Sequence, residues 1–269
     1  MTDLIKHDFT FTQSNLQTFA YCRHRFFLRY VKNLIWPAAQ LSGSNHLLDR
    51  DAGVRFHQLL HQYFLGLDLD HLQTIAAADR DQRMEVWFDN FLSSPVCRLE
   101  GRLLSEASFT ATIEEHNLGA KVDLLQIDQD FIKIFDWKTS RKSPGVSQLK
   151  SQAQSMVYPL VISKAFPFDN IIMVYWEANF PDQPIEITSQ AQDLQRYEQK
   201  ITELIDSITS LAAEEFVRVS EISKCSRCEF ATYCGRADKN AEAKLTLEPD
   251  DYEELRIVPE EWLDSSGLV

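Results

Sequence analysis

The middle of the chain carries three β-rich segments separated by short turns, and this arrangement restricts the fold more than any other feature. The segments cover residues 103–113, 120–127 and 130–138, and turns are predicted at 117–119 and 128–129. Extended segments joined by tight turns pair as neighbouring antiparallel strands. The sequence therefore predicts a β-meander in which the second and third segments form a hairpin.

Helical and extended patterns on either side of the meander predict an α/β fold. Thr12 or Ser14 is expected to cap a first helix that continues to Val31, and a second helix is expected to begin near Asp49 or Asp51. Further predictions are helices at 79–92, 146–165 and 190–213, a buried strand at 171–176 and an edge strand at 185–188. This order of elements is typical of a mixed sheet flanked by helices.

The charge of the chain is unevenly distributed. A formal net charge of −13 argues against binding of nucleic acid over the whole surface. Residues 238–269 hold ten acids and three bases, whereas 9–48 and 137–168 contain no acid and hold four and five bases. The two basic patches indicate either solvated faces or a local track for a polyanion. On the second interpretation, the phosphate-binding residues are Arg23, Arg25, Arg141 and Lys142.

Two absences in the sequence bear on where the protein works. No apolar run approaches the roughly 18 residues of a membrane-spanning helix, so no membrane partner is expected. The N-terminal residues lack the basic and apolar pattern of a signal peptide, so we expect a cytoplasmic location. Cysteines of the cytoplasm stay reduced and more often bind metal than form disulfides.

Two aspartates and a lysine lie where the predicted hairpin brings strands together. Asp136 and Lys138 are two residues apart at the end of the third segment, so they share one side of the strand while Trp137 faces away. Asp123, in the preceding strand, is expected near Asp136 across the pair. Clustered carboxylates repel unless a cation lies between them, and oxygen ligands favour Mg²⁺ or Mn²⁺. The alternative is a surface salt bridge with Lys138.

These residues resemble the core of the PD-(D/E)XK, or restriction-endonuclease-like, nucleases, and two further motifs are similar to its RecB-like branch. Gly53 and His57 resemble the Gly-x-x-x-His of an upstream helix, and Gln154 and Tyr158 resemble the Gln-x-x-x-Tyr pair that follows the lysine. The resemblance covers about 50–160. It implies a metal-dependent DNA exonuclease acting on single-stranded DNA or DNA ends, in repair, recombination or CRISPR adaptation.

The resemblance also implies a role for each matching residue. The metal ligands would be His57, Asp123, Asp136 and the main-chain carbonyl of Trp137, and the metal would assist in-line attack on a phosphodiester. Lys138 would orient the attacking water. Gln154 and Tyr158 would support the lysine or contact the substrate, and Glu106 would be a further acid near the site. This sequence departs from the family pattern in having no proline before Asp123.

Three cysteines, Cys225, Cys228 and Cys234, lie within ten positions near the end of the chain. A closed metal site needs a fourth ligand. Cys22 lies in an aromatic and basic segment, whereas Cys97 has the setting of an ordinary free thiol. The residues alone leave two alternatives open, a zinc site that includes a neighbouring histidine or an iron–sulfur cluster.

A subset of RecB-like nucleases, including the AddAB nuclease subunit and the CRISPR-adaptation nucleases, is similar in its cysteine spacing. That resemblance implies a 4Fe–4S cluster held by Cys22, Cys225, Cys228 and Cys234, joining the two ends of one nuclease domain over 1–237. Within that domain we expect an N-terminal helix at 9–48, a nuclease core at 49–189, and a long helix with the cysteine triplet at 190–237. An acidic tail at 238–269 would follow.

Two other classes of protein remain open from the sequence. One is a catalytically idle DNA-binding or scaffolding subunit of a repair complex, and the other is an iron–sulfur redox sensor. A redox sensor would leave the aspartates and the lysine without a role. No phosphate-binding loop of the ATPase type occurs in the chain, so helicase activity would belong to a partner, such as a helicase or a CRISPR-adaptation protein.

Overall fold

The computed structural model describes most of the 269-residue chain, namely residues 4–35, 45–166, 168, 170–226 and 228–236, with the side chains of 45–50 left out. The predicted acidic tail, 238–269, lies outside the described residues. Among the helices that are described, none combines the length and the apolar character needed to cross a bilayer.

A mixed sheet forms the centre of the described structure. Its strands are β1 (Thr10–Thr12), β2 (Arg102–Ile113), β3 (His116–Ile127), β4 (Ile132–Lys138), β5 (Ile171–Glu177) and β6 (Ile185–Ser189). The strand order is β1-β3-β4-β5-β6, and β2 also pairs with β3. The β1–β3 and β4–β5 pairs are parallel and the others antiparallel. The predicted β3–β4 hairpin, buried β5 and edge strand β6 are confirmed.

Helices cover both faces of the sheet. They are α1 (Gln13–Tyr21), α2 (Arg23–Phe26), α3 (Asn45–Phe64), α4 (Leu69–Ala77), α5 (Arg83–Ser93), α6 (Val146–Lys150), α7 (Ala153–Ala165) and α8 (Ala191–Thr209). Ile134 and Met173 pack on the core that contains α1, α7 and α8, whereas Phe135 and Val174 pack on the core of α3, α4 and α5. Strands β4 and β5 therefore contribute alternate residues to two apolar cores, and the prediction of a sheet flanked by helices is confirmed.

The first helix is shorter than the sequence predicts. Thr12 caps α1 as expected, because its hydroxyl accepts from the Asn15 N–H while Asn15 Oδ1 accepts from the Thr12 N–H. The prediction of one helix continuing to Val31 is wrong, since Cys22 has extended backbone angles and ends α1 at Tyr21. The His24 N–H instead donates to the Val217 carbonyl, a long-range bond that an unbroken helix would prevent.

The predicted turn at 117–119 is also wrong, because these residues lie inside β3. The β2–β3 hairpin turns two residues earlier, where Ile113 pairs with His116 and Glu114 adopts a left-handed φ of 51°. Gly119 is needed for strand packing rather than for a turn. A Cβ there would lie 2.9 Å from Thr10 Cγ2, so this glycine allows β1 to approach β3 closely.

Several helix boundaries differ from the prediction. Helix α3 begins at Asn45, upstream of the expected start, and the region before α5 holds the separate helix α4. The single helix predicted at 146–165 is two helices, α6 and α7. The break between them is stabilised by the Ser155 hydroxyl, which donates to the Leu149 carbonyl. Local periodicity does not show the break between α6 and α7, because a side-chain hydrogen bond stabilises it.

Candidate active site

The β3–β4 hairpin places Asp123 beside Asp136. The ladder pairs Leu124 with Phe135 and ends there, so the two aspartates occupy the next position along the diverging strands. The main-chain N–H of Trp137 donates to Asp123 Oδ2 at 2.8 Å in place of a ladder partner. The two carboxylates are thus brought together by the end of the strand pairing, as the hairpin prediction requires.

Asp136 and Lys138 lie on the same side of β4, and Gln154 of α7 bridges them. Lys138 Nζ is 2.9 Å from Asp136 Oδ2. The Gln154 amide donates to Asp136 Oδ1, and Gln154 Oε1 accepts from Lys138 at 3.3 Å. Trp137 faces the other core and stacks on Phe64 with ring centroids 6.0 Å apart. Strand alternation therefore separates the charged pair from the apolar ring, as expected.

Burial controls ionisation around this pair. Asp136 is 5% exposed, and burial raises the pKa of its carboxyl, with the Asp123 charge adding to the rise and Lys138 opposing it. Tyr158 lies one helical turn after Gln154 and is also buried. Burial, followed by the charges of Asp136 and Asp123, raises the pKa of Tyr158, so its phenol stays neutral. Both residues of the Gln-x-x-x-Tyr pair therefore face this buried region.

His57 on α3 contacts Asp123 from the other side. Its Nδ1 lies 3.2 Å from Asp123 Oδ1. Burial lowers the pKa of His57, but the hydrogen bond to Asp123 and the charge of that residue outweigh burial, so the pKa lies above its ordinary value. Gly53 lies one turn earlier, where a Cβ would stand 3.1 Å from Thr139 Oγ1. A glycine in this motif therefore lets α3 pass close to the chain that follows Lys138.

A group of three potential ligands includes Glu106. His57, Glu106 and Asp123 each offer one ligand atom, and these atoms lie within 4.8 Å of one another. One imidazole and two carboxylates form a donor set suited to a divalent cation such as Mg²⁺ or Mn²⁺. Asp136 lies outside this group and instead faces Lys138 and Gln154. The group that contains His57 and Asp123 therefore includes Glu106 and not Asp136.

Sequence reasoning missed two residues near Lys138. Asn179 follows β5 and donates to the carbonyls of Thr139 and Ser140 at 3.2 and 2.7 Å, which holds the chain beyond Lys138 in place. Glu177 is aligned with Lys138 in the parallel β4–β5 register, and it is 1% exposed. Glu177 could have been found from the sequence, because it is an acid at the end of the apolar segment that forms β5. No motif signals Asn179.

The N-terminal and C-terminal cysteines lie in one region. Cys22, Cys225, Cys228 and Cys234 are all free thiols. Burial raises the pKa of the Cys228 thiol to about 11, and Cys22 is near enough to contribute to the rise. Cys22 and Cys225 likewise contribute to the raised pKa of Cys234, after burial. Within the described part of the chain, no three of these sulfur atoms lie within 4.8 Å of one another.

The basic residues expected to bind phosphate have different surroundings. Arg23, Arg141 and Lys142 are exposed. Arg25 is less accessible, because its guanidinium pairs with Glu229 at 2.7 Å, and this contact joins α2 to the cysteine-rich segment.

The sequence model of the PD-(D/E)XK nuclease superfamily matches residues 10–235, so the chain belongs to this superfamily. The chain is similar to the crystal structure of SSO0001 at 13% identity, with 86% of this chain and 87% of that chain covered and a TM-score of 0.41. It is also similar to a candidate exonuclease from Eubacterium rectale at 11% identity, with 74% and 81% covered and a TM-score of 0.44. No curated protein matches it.

Proposed function

We propose that this nuclease is a metal-dependent DNA exonuclease of the RecB-like, iron–sulfur class, acting on single-stranded DNA or DNA ends. The observation that carries the proposal is the pairing of Asp136 with Lys138 beside the group of His57, Asp123 and Glu106. Superfamily membership over residues 10–235 supports phosphodiester cleavage and a single nuclease domain over 1–237.

The residues divide into a cation-binding set and a set that positions water. His57, Asp123 and Glu106 hold the divalent ion, and Asp136 contributes negative charge from the adjacent strand. When bound, the ion supplies Lewis-acid stabilisation of the phosphate and activation of water. Lys138 orients the attacking water, and its ammonium is itself held by Asp136 and Gln154. Tyr158 supports this pair from α7.

The proposed 4Fe–4S cluster has Cys22, Cys225, Cys228 and Cys234 as its ligands, and zinc is the alternative. All four are free thiols, and Cys22 and Cys225 lie near enough to Cys234 to add to the rise that burial causes in the pKa of its thiol.

DNA binding, in this proposal, uses the basic residues Arg23, Arg25, Arg141 and Lys142. Reversing their charge should weaken binding and reduce its dependence on salt, because fewer counterions are then released. Arg25 should have the smallest effect on DNA contact, since Glu229 already holds it. A helicase or CRISPR-adaptation partner and a cytoplasmic location stay predictions.

The decisive experiment measures cleavage by the full chain purified without oxygen. End-labelled single- and double-stranded DNA and a covalently closed circle are each incubated with Mg²⁺, Mn²⁺ or chelator. We expect metal-dependent digestion of DNA with ends, none of the circle, and loss of activity in Asp136→Asn and Lys138→Ala. Lys133→Ala, on the same strand and paired with Glu186, is the matched control.

Two outcomes would overturn this proposal. Cleavage that persists in both Asp136→Asn and Lys138→Ala would place the activity elsewhere or in a contaminant. No cleavage by the wild type with any metal or partner would favour the idle DNA-binding or scaffolding subunit.

A further inference from the structure

A lysine outside every motif holds one of the three potential metal ligands. Lys121 Nζ lies 2.5 Å from Glu106 Oε2. The Lys121 side chain is 64% exposed and that of Glu106 only 23%, so the ammonium approaches the carboxylate from the solvent side. Lys121 and Asp123 are two residues apart on β3, so both side chains lie on the same face of the sheet.

Glu106 has an unusual backbone for a residue in the middle of a strand. Its φ is 53°, in the left-handed region that residues with a side chain rarely adopt. The ladder skips Glu106, but the flanking pairs Ser105–Leu124 and Ala107–Val122 keep antiparallel register, which places Glu106 across from Asp123. Strain of this kind persists only where the surroundings enforce it, and it concentrates at functional sites.

The Lys121 ammonium therefore supplies a positive charge beside Glu106 in the metal-free protein. The Lys121 ammonium neutralises Glu106, and this reduces its repulsion with Asp123. An ammonium has no lone pair, so Lys121 cannot join the ligand set of a metal ion. Lysine and a divalent cation would therefore compete for the same carboxylate.

We propose that Lys121 is a positioning residue that acts as the counter-ion of Glu106, and that a divalent cation binds His57, Glu106 and Asp123 by displacing it. This inference rests on the metal site of the proposed function. It assigns Lys121 two effects of opposite sign: it stabilises the metal-free protein, and it weakens the binding of the metal. A lysine with a merely structural role would not oppose metal binding.

The test compares Mn²⁺ affinity and melting temperature in the full chain purified without oxygen. Calorimetric titration of Lys121→Gln should show tighter Mn²⁺ binding, on the order of three-fold for a largely exposed pair. The melting temperature of metal-free Lys121→Gln should fall below that of the wild type. Added Mn²⁺ should raise the melting temperature of the variant by more than it raises that of the wild type. Lys121→Arg should behave like the wild type, because it keeps the charge. Lys133→Gln, which removes the lysine of another Lys–Glu pair, should leave Mn²⁺ affinity unchanged.

A double variant separates displacement from a general effect of charge. In a Glu106→Gln background, Lys121→Gln should no longer tighten Mn²⁺ binding, because there is no carboxylate left to release. The inference would be overturned if Lys121→Gln tightened Mn²⁺ binding equally in that background. It would also be overturned if Lys121→Gln alone left Mn²⁺ binding unchanged or weakened it. Neither result would argue against the metal site itself. Failure of the wild type itself to bind Mn²⁺ would instead refute the proposed metal site.

Discussion

Single side chains determine how the charged groups at the end of β4 are arranged. Gln154 uses both ends of its amide, donating to Asp136 and accepting from Lys138. It therefore holds a buried acid and a cation in one geometry without adding charge. Such residues contact the catalytic groups rather than the substrate. Their replacement commonly lowers activity by about 10- to 100-fold.

Replacing Gln154 by alanine should lower turnover by about 10- to 100-fold, because Lys138 loses a group that helps to orient it. Mn²⁺ affinity should change little, since Gln154 lies outside the group of His57, Glu106 and Asp123. Steady-state cleavage and calorimetric titration measure the two effects. Gln199→Ala on α8 is the control, and equal turnover in both variants would show that Gln154 has no positioning role.

The ion pair of Arg55 with Asp79 makes a prediction about acid stability. Two hydrogen bonds, at 2.7 and 2.8 Å, join the groups and hold the pKa of Asp79 below its ordinary value. A depressed carboxyl pKa stabilises the folded state above the unfolded pKa of about 3.9, and that stability is lost as pH falls through the folded pKa. Asp79→Asn should therefore cost about 1–2 kcal/mol in free energy of unfolding near neutral pH.

Urea unfolding of both proteins over a range of pH tests this expectation. The difference in free energy of unfolding between wild type and Asp79→Asn should be constant above about pH 5 and shrink towards about pH 3. A difference that stays constant down to about pH 3 would show that the pair does not depress the pKa of Asp79.

At the scale of elements, the active site depends on how closely α3 approaches the end of β4. Gly53 allows that approach, and His57 one turn later reaches Asp123 as a result. Asn179 holds the other side of the same chain segment through the carbonyls of Thr139 and Ser140. Neither helix nor strand alone positions the histidine.

Gly53→Ala should lower cleavage roughly ten-fold, because the added Cβ would meet Thr139 Oγ1 and displace the helix that carries His57. The double variant Gly53→Ala/Thr139→Ala removes the obstructing oxygen and should recover much of the activity. Gly145→Ala is the matched control, since a Cβ there meets nothing within 4 Å. Lack of rescue in the double variant would contradict the steric explanation.

At the scale of the whole molecule, residues from both ends of the described chain meet around the cysteines. The Tyr21 hydroxyl donates to the Lys224 carbonyl at 2.6 Å, and Arg25 pairs with Glu229. Phe27 stacks on Phe216 with ring centroids 5.1 Å apart. These contacts already hold the two segments together, and a bound cluster would add its binding free energy to the stability of the fold.

Cys22→Ala should lose iron and solubility together, because one ligand of the proposed cluster is removed and metal binding contributes folding free energy. Protein purified without oxygen should be brown and contain about four irons per chain. Cys97→Ala is the control and should keep its iron, since Cys97 donates locally to the Leu92 carbonyl. A colourless wild type with one bound zinc would contradict the cluster.

The sequence by itself determined the features that depend on local periodicity. Alternation along β4 was sufficient to place Asp136 and Lys138 together and Trp137 opposite, and the short turn after β3 was sufficient to bring Asp123 alongside. Helical spacing was sufficient to place Gln154 and Tyr158 on one side of α7. In each case the repeat of the backbone fixes the direction of a side chain, so neighbours within one element or hairpin can be predicted without the rest of the fold.

Only the tertiary structure decided which groups meet across elements. Cys22 interrupts a helix that periodicity extends to Val31, because His24 bonds to the distant Val217 carbonyl. Gly119 lies inside a strand rather than a turn, because β1 packs against it. Glu106 joins His57 and Asp123 while Asp136 does not, and it does so from a left-handed backbone that a glutamate rarely adopts. Such contacts depend on packing between residues far apart in the chain, which no local pattern encodes.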